Sequence, residues 1–322
     1  MIDYVKFALP LSKYEQQFFD NPVYDFKGKL IKNTQEAVKP YKGYYKSLEV
    51  EINYQNVIVS GSLHKFYNLV MYGDYQNFDD FTYDRQCNAL SIISNELDFD
   101  LRDAEIQNLE FGVNINTTFK PSYFLGNNLI NMKMKEAMKE EFDNMKGLYR
   151  QFKFSNQLFK IYDKGGQNEL EENILRLEVK AMRSEVVKPK DWDKDRKVLL
   201  TDLLSFGYLH HLRGILIERS KHLIMCDPFH ESKNINAKDQ KKLLCFTNPT
   251  YWTGLNLLAK DKMRMTGKDD RTAYKKRNQF RALMQKYNLN KMRTEIIKAV
   301  VIKSKELISK TQLKGYTFEC NV

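Results

Sequence analysis

The chain has 322 residues, 42% of them hydrophobic and 13% aromatic, which supplies one large or two ordinary packed cores and excludes a disordered chain. Its formal net charge of +11 attracts polyanions, nucleic acid being the commonest, although charge alone does not separate DNA from RNA or anionic lipid. No apolar run approaches the ~20 residues that span a bilayer, and Met1-Ile2-Asp3-Tyr4-Val5-Lys6 shows no signal-peptide pattern, so a cytosolic protein without a membrane partner is expected.

In chain order, Leu48, Val50 and Ile52 alternate with Glu49, Glu51 and Asn53, and Gln55-Asn56 offers a turn before Val57-Ile58-Val59, which predicts a hairpin. Gly61-Ser62-Leu63-His64-Lys65-Phe66 leaves that strand. Asp79 or Asp80 caps a predicted helix reaching about Leu97, with Ala89, Leu90, Ile93 and Leu97 at helical spacing. A strand follows over Leu109-Glu110-Phe111-Gly112-Val113-Asn114-Ile115. Pro121 suits the first turn of a short helix, and the Met- and Lys-rich segment from Asn127 to Lys146 reads as an exposed helix. A second hairpin runs from Tyr149 through a Ser155-Asn156 turn to Lys164, Gly165-Gly166 breaks it, and Leu175–Lys180 forms a further strand.

Beyond Pro189 and Asp191 strand signals give way to helices, and a boundary near residue 190 divides a sheet-rich part from a basic helical part. Arg264, Lys268, Arg271, Lys275, Lys276, Arg277 and Arg281 crowd one stretch of it, where Phe280, Leu283, Met284 and Tyr287 supply a buried face. The fold class expected is therefore α+β.

Three strands carry the chemistry. Successive strand side chains point to opposite sides, so Glu110, Gly112 and Asn114 share one face, Lys160, Tyr162 and Lys164 another, and Arg176, Glu178 and Lys180 a third. Tyrosine cleavage of a phosphodiester needs a phenolate, cations for the phosphate and usually a divalent metal. Tyr162 between Lys160 and Lys164 meets the first two needs; Glu110 and Glu178, with Asn114 beside Glu110, can hold Mg²⁺ or Mn²⁺, and Gly112 leaves room for metal or DNA backbone. His64 is a candidate third ligand. Arg176, Lys180, Arg264, Arg271, Lys275, Lys276, Arg277 and Arg281 are candidate contacts to nucleic acid, and Tyr274, Tyr251 or Trp252 can stack on unpaired bases.

Bland alternatives stand beside each reading. Any sheet with one solvated side alternates in this way, Glu178 can simply bridge to Lys160 or Arg176, His64 can be structural, and the basic helices can be a solvated face. His210-His211 cannot place both rings on one metal, and His222 and His230 stand alone. Cys87, Cys226, Cys245 and Cys320 lack zinc or redox spacing and read as reduced thiols. Walker, dinucleotide-binding and acyl-transfer serine motifs are all missing from the sequence, which removes the usual support for ATPase, dehydrogenase and hydrolase readings.

Met1-Ile2-Asp3 with Leu9-Pro10, the Gly61–Phe66 segment, Leu109–Asn114, and above all Ile161-Tyr162-Asp163-Lys164 followed by Leu175-Arg176-Leu177-Glu178-Val179-Lys180 resemble the filamentous-phage gene II protein family of phage and plasmid replication initiators. That family looks like part of the HUH-type tyrosine nucleases of rolling-circle replication. The resemblance covers about residues 1 to 185. It implies an antiparallel-sheet nicking domain over residues 1–190 followed by a helical, basic, DNA-binding or accessory domain over 191–322. It also implies that Tyr162 nicks one strand of an origin, forms a 5′-phosphotyrosyl link and releases a 3′-hydroxyl for the host replication machinery. Glu110 stands where the family has an acidic strand residue and would share a metal with Glu178. The partners implied are duplex origin DNA with a single-stranded segment at the nick, in the cytoplasm of a bacterial host; the alternative is a noncatalytic origin-binding protein.

Overall fold

The computed structural model describes residues 1–20, 41–140, 148–229, 234–267 and 271–309. Lys268, His230, Cys320 and the end of the Asn127–Lys146 segment lie outside them. The described chain is α+β and divides into two compact units.

The first unit takes residues 1–109, 189–210 and the C-terminal stretch from Ser304. It holds β1 (Ile2–Pro10), α1 (Leu11–Asp20), β2 (Tyr41–Tyr45), β3 (Leu48–Ile52), β4 (Asn56–Ser62), α2 (Leu63–Tyr72), α3 (Tyr83–Glu96) and the start of β5 (Glu105–Asn116). Strand order is β2-β3-β4-β1-β5, with antiparallel pairing from β2 through β1. The expected hairpin is present because Val50 and Ile52 face Val59 and Val57 in register, and all four are fully buried. Its turn is set by Asn53, whose side-chain oxygen accepts from the amides of Gln55 and Asn56 at 2.9 and 2.8 Å.

Two local expectations change. The segment after Gly61 does not merely leave the strand: Ser62 caps α2 by accepting from the Lys65 amide at 3.2 Å, so His64 sits in the first turn of a helix. Nor do Asp79 and Asp80 cap α3, whose cap position is Thr82. Asp79 instead receives His64 Nε2 at 2.7 Å, Asn68 at 2.9 Å and Arg85 at 2.5 Å. Burial opposes ionisation there, but those hydrogen bonds, His64 first, outweigh it and hold the carboxyl well below the usual range.

The second unit takes residues 110–188 and 211–303. Its sheet continues β5 with the order β5-β10-β9-β8-β7, where β7 is Met138–Glu140, β8 is Tyr149–Lys153, β9 is Gln157–Asp163 and β10 is Ile174–Ala181. The β7–β8, β8–β9 and β9–β10 pairs are antiparallel. Pro121 opens the short α4 (Pro121–Tyr123) as expected, and Gly165-Gly166 ends β9 by turning into α5 (Lys164–Gln167), capped by Asp163.

The remaining strands and α-helices among the described residues are β6 (Leu129–Met132), α6 (Phe206–Lys221), which starts in the first unit's residues, β11 (Leu223–Met225), α7 (Ala237–Thr247), α8 (Pro249–Thr266), α9 (Thr272–Lys286) and α10 (Lys291–Ile308). Of the helix expected from Asn127 onward, only Asn127 and Asn128 are helical among the described residues, as the end of a π-helical turn over Phe124–Asn128. Leu129–Met132 pairs antiparallel with β11, a strand too short for periodicity to announce, and Ile130 and Met132 are buried. The expected buried face of α9 is present, with Phe280, Leu283 and Met284 packed beside Phe246 and Trp252. No described helix is long and apolar enough to cross a membrane.

Candidate active site

Strand register decides what meets Tyr162. Along β9 and β10, Tyr162 lies opposite Arg176 and Lys160 opposite Glu178. On the other side of β9, β8 places Tyr149 opposite Tyr162 and Gln151 opposite Lys160. Directly opposed residues on one face are in side-chain contact range, so the three polar faces do converge.

The geometry is that of a dense ionic cluster. Tyr162 Oη donates to Glu178 Oε1 at 3.3 Å, and the same carboxylate oxygen accepts from Arg176 Nε. Arg176 also donates to Asn114 Oδ1 at 3.0 Å. Lys160 Nζ is 2.5 Å from Glu110 and 3.9 Å from Glu178, while Lys180 Nζ lies 2.6 Å from the other oxygen of Glu110. Lys164 falls outside the strand, at the start of α5, yet its ammonium group stays 5.9 Å from the Tyr162 ring centre and bonds Gln167 at 3.2 Å.

Burial separates this arrangement from an ordinary solvated sheet face. Glu110, Tyr162, Lys164, Arg176 and Glu178 are each 7% exposed or less. Charged side chains lose several kcal/mol of hydration when buried and recover it only through close partners, so replacing such a cluster by apolar residues is often neutral or stabilising. A desolvated set of cations around a phenol and a carboxylate is an arrangement that can bind a phosphate.

Gly112 plays a different part from the one expected. It provides no open space: a Cβ there would lie 2.2 Å from the Leu177 carbonyl oxygen and 2.7 Å from Glu178 Cγ. The glycine lets β5 approach β10 closely enough for Glu110 to share cations with Glu178. Gly112→Ala is accordingly expected to cost roughly 1–3 kcal/mol by overpacking and to weaken any activity of the cluster; thermal unfolding checks the first effect, and an unchanged midpoint refutes it.

Lys160 Nζ is a cation placed between both carboxylates, so Glu110 and Glu178 converge on one cation position, and oxygen donors suit Mg²⁺ or Mn²⁺. Such ions are commonly held by one or two carboxylates plus substrate phosphate, with water completing the shell. Among the described residues no cluster of three or more His, Cys, Asp or Glu side chains is disposed to hold a metal. Asn114 offers its oxygen to Arg176, and His64 Nε2 is engaged by Asp79, with the ring stacked on Phe81 at 4.8 Å.

The basic candidates of the helical part lie on α8, α9 and the link between them. Arg264, Arg271, Lys275 and Arg281 are exposed, and Lys276 and Arg277 half-buried. Arg271, Arg277, Lys260 and the exposed Tyr274 line an open groove of about 600 Å³ between α8 and α9. Trp252 is not available to bases: it is fully buried, and its indole N–H donates to the Phe246 carbonyl at 2.7 Å. Tyr251 is half-buried against Phe246. Tyr149 and Gln151, which strand alternation alone does not single out, border the cluster, and counting back from the Ser155-Asn156 turn places them across from Tyr162 and Lys160.

No protein-family model matches the chain, and no curated protein matches it. Among solved structures, a rolling-circle replication initiator protein from Geobacillus stearothermophilus is similar at 12% identity and a TM-score of 0.37, covering 73% of this chain and 89% of that one.

Proposed function

We propose that the protein initiates rolling-circle DNA replication by cutting and rejoining one strand at an origin, with Tyr162 as nucleophile. The observation that carries this reading is the Tyr162 phenol donating to Glu178 beside the buried Lys164 and Arg176 and the half-buried Lys160.

In the cutting step Tyr162 Oη attacks phosphorus, its proton passes to Glu178, and the bond to the 3′ oxygen breaks. The departing oxygen takes a proton from solvent, leaving a 3′-hydroxyl and a 5′-phosphotyrosine. Charge growing on the non-bridging oxygens is met by Lys160, Lys164 and Arg176. The phosphotyrosine retains the energy of the cut bond, so attack by a 3′-hydroxyl reverses the step without ATP. Glu110 and the Oε2 oxygen of Glu178 would hold Mg²⁺ or Mn²⁺ in place of the Lys160 ammonium group they now share, leaving Glu178 Oε1 for the Tyr162 proton and Lys160 for the phosphate, and the metal would polarise a phosphate oxygen. Asn114 accepts from Arg176 and would orient it, and His64 bonds Asp79.

The substrate in this reading is duplex origin DNA with a single-stranded segment at the nick, and the released 3′-hydroxyl is extended by the host polymerase in a bacterial cytoplasm. The basic groove residues Arg271 and Arg277, with Arg264, Lys275, Lys276 and Arg281, supply salt-sensitive phosphate contacts. EDTA is expected to stop formation of the covalent adduct on a single-stranded origin oligonucleotide, and Mn²⁺ to restore it. Adduct formation indifferent to chelation would remove the metal from this account.

One observation favours a second reading. Tyr162 is only 7% exposed and packs on Tyr149 with ring centres 5.7 Å apart, as a structural tyrosine would. The protein would then bind origin DNA without cutting it, and the Tyr162 substitution described in the Discussion decides between the two.

A further inference from the structure

Within the second unit, the end of α6, strand β11, helix α9 and the start of α10 enclose a pocket of about 160 Å³. Its walls bring together Lys221, Arg277, Arg281 and Arg293 with Gln285 and Asn290, beside the apolar residues of β11. Among the described residues lining it there is no Asp or Glu; Glu218 meets it only by accepting from His222 at 3.3 Å. Arg277 Nε is shut off from solvent and has no hydrogen-bond partner among the described residues. Arg293 is braced by donating to the Lys221 carbonyl at 3.0 Å.

With no carboxylate lining the recess, the exposed Arg281 repels both Arg277 and Arg293, which also lose hydration. Burial first, and then the charge of Arg281, pull both Arg277 and Arg293 below the usual arginine range. A bound anion reverses both effects, and the forked N–H groups of arginine match phosphate oxygens. Arg277 also lines the open groove that carries the exposed Tyr274, so pocket and groove meet at one side chain. A chain with both phosphates and stacking bases suits that pairing better than an isolated anion.

We infer that this pocket seats one phosphate group of a single-stranded nucleic acid, gripped by Arg277, Arg281 and Arg293. The choice of polymer rests on the DNA-acting reading above; the phosphate seat does not. Neither Arg293 nor Lys221 belongs to the basic run in the sequence that suggested DNA contacts, and the seat lies on different elements from the Tyr162 cluster.

The test uses the full chain, with arginine side-chain N–H resonances followed by NMR during two titrations at constant ionic strength, one with inorganic phosphate and one with an oligothymidylate lacking any origin sequence. Both are expected to move the Nε–Hε signals of Arg277, Arg281 and Arg293. Arg281 is exposed, so Arg281→Gln should fold normally, weaken oligothymidylate binding about 5- to 10-fold, and lower the slope of log affinity against log salt by about 0.7, the value for one phosphate contact on a single strand. Lys298→Gln, an exposed change on α10 outside the pocket, serves as the charge control and should bind nearly as the parent does. Signals that stay still in both titrations, or Arg281→Gln binding no more weakly than Lys298→Gln, overturn the seat. Signals moved by phosphate but not by the oligonucleotide overturn the nucleic-acid occupant. Tyr162→Phe leaves all of these readouts unchanged, so a failure of strand cutting and a failure of the seat are separate results.

Discussion

Tyr162→Phe is expected to abolish the covalent protein–DNA adduct on an origin-bearing single strand, lowering its yield by at least about 10³-fold, in the range seen when a nucleophile is deleted. The change removes the phenol oxygen and its hydrogen bond to Glu178 at 3.3 Å, and keeps the ring that packs against Tyr149. The fold should therefore survive, and origin binding measured by gel shift should remain within about twofold, since phosphate contacts dominate affinity and phenylalanine leaves all of them in place. Glu178→Gln should keep the adduct but slow it by about 10²- to 10⁴-fold, the usual contribution of a positioned general base. Adduct formed at the parent rate by Tyr162→Phe would exclude Tyr162 as the nucleophile. A parent protein that forms none under any divalent ion would favour the binding-only reading.

The second large effect concerns stability. Trp252→Ala is expected to cost about 3–5 kcal/mol, the range for emptying a fully buried aromatic site. The indole is fully buried among Phe246, Phe280 and Tyr251, and its N–H is satisfied by the Phe246 carbonyl. For a unit of this size each kcal/mol moves the unfolding midpoint by roughly 2–4 °C, so a fall of about 10 °C is expected by calorimetry. Single-strand binding per folded molecule should not change. The reverse outcome, lost binding with an unmoved midpoint, would return Trp252 to the role of a base-stacking residue.

Much of the sheet could be read in advance because its signals are local. Val50 and Ile52 against Val57 and Val59 announce a hairpin by alternation, and Tyr149–Lys164 does the same around Ser155-Asn156. The Tyr162, Arg176 and Glu178 candidates followed from period-two patterning, and their convergence follows from register: a turn of known position leaves one register that buries Phe152, Phe159 and Ile161. Elements whose stability comes from distant partners were less legible. Leu129–Met132 is a strand because β11 is there to pair with it. Asp79 looked like a helix cap because nothing nearby in the chain reveals that His64, Asn68 and Arg85 will surround it.

By itself, the sequence determined that this is a basic α+β protein and that a tyrosine, several cations and two carboxylates lie on alternating strand faces, since composition and side-chain alternation are properties of neighbouring residues. Only the tertiary structure decided that those faces are buried together, that Gly112 is a point of close strand approach instead of open space, that Trp252 belongs to a core, and that Arg293 and Lys221 join Arg277 and Arg281 around one pocket. The physical reason is common to all four. Burial and charge pairing are set by residues far away in the chain, and the local pattern contains no term for them.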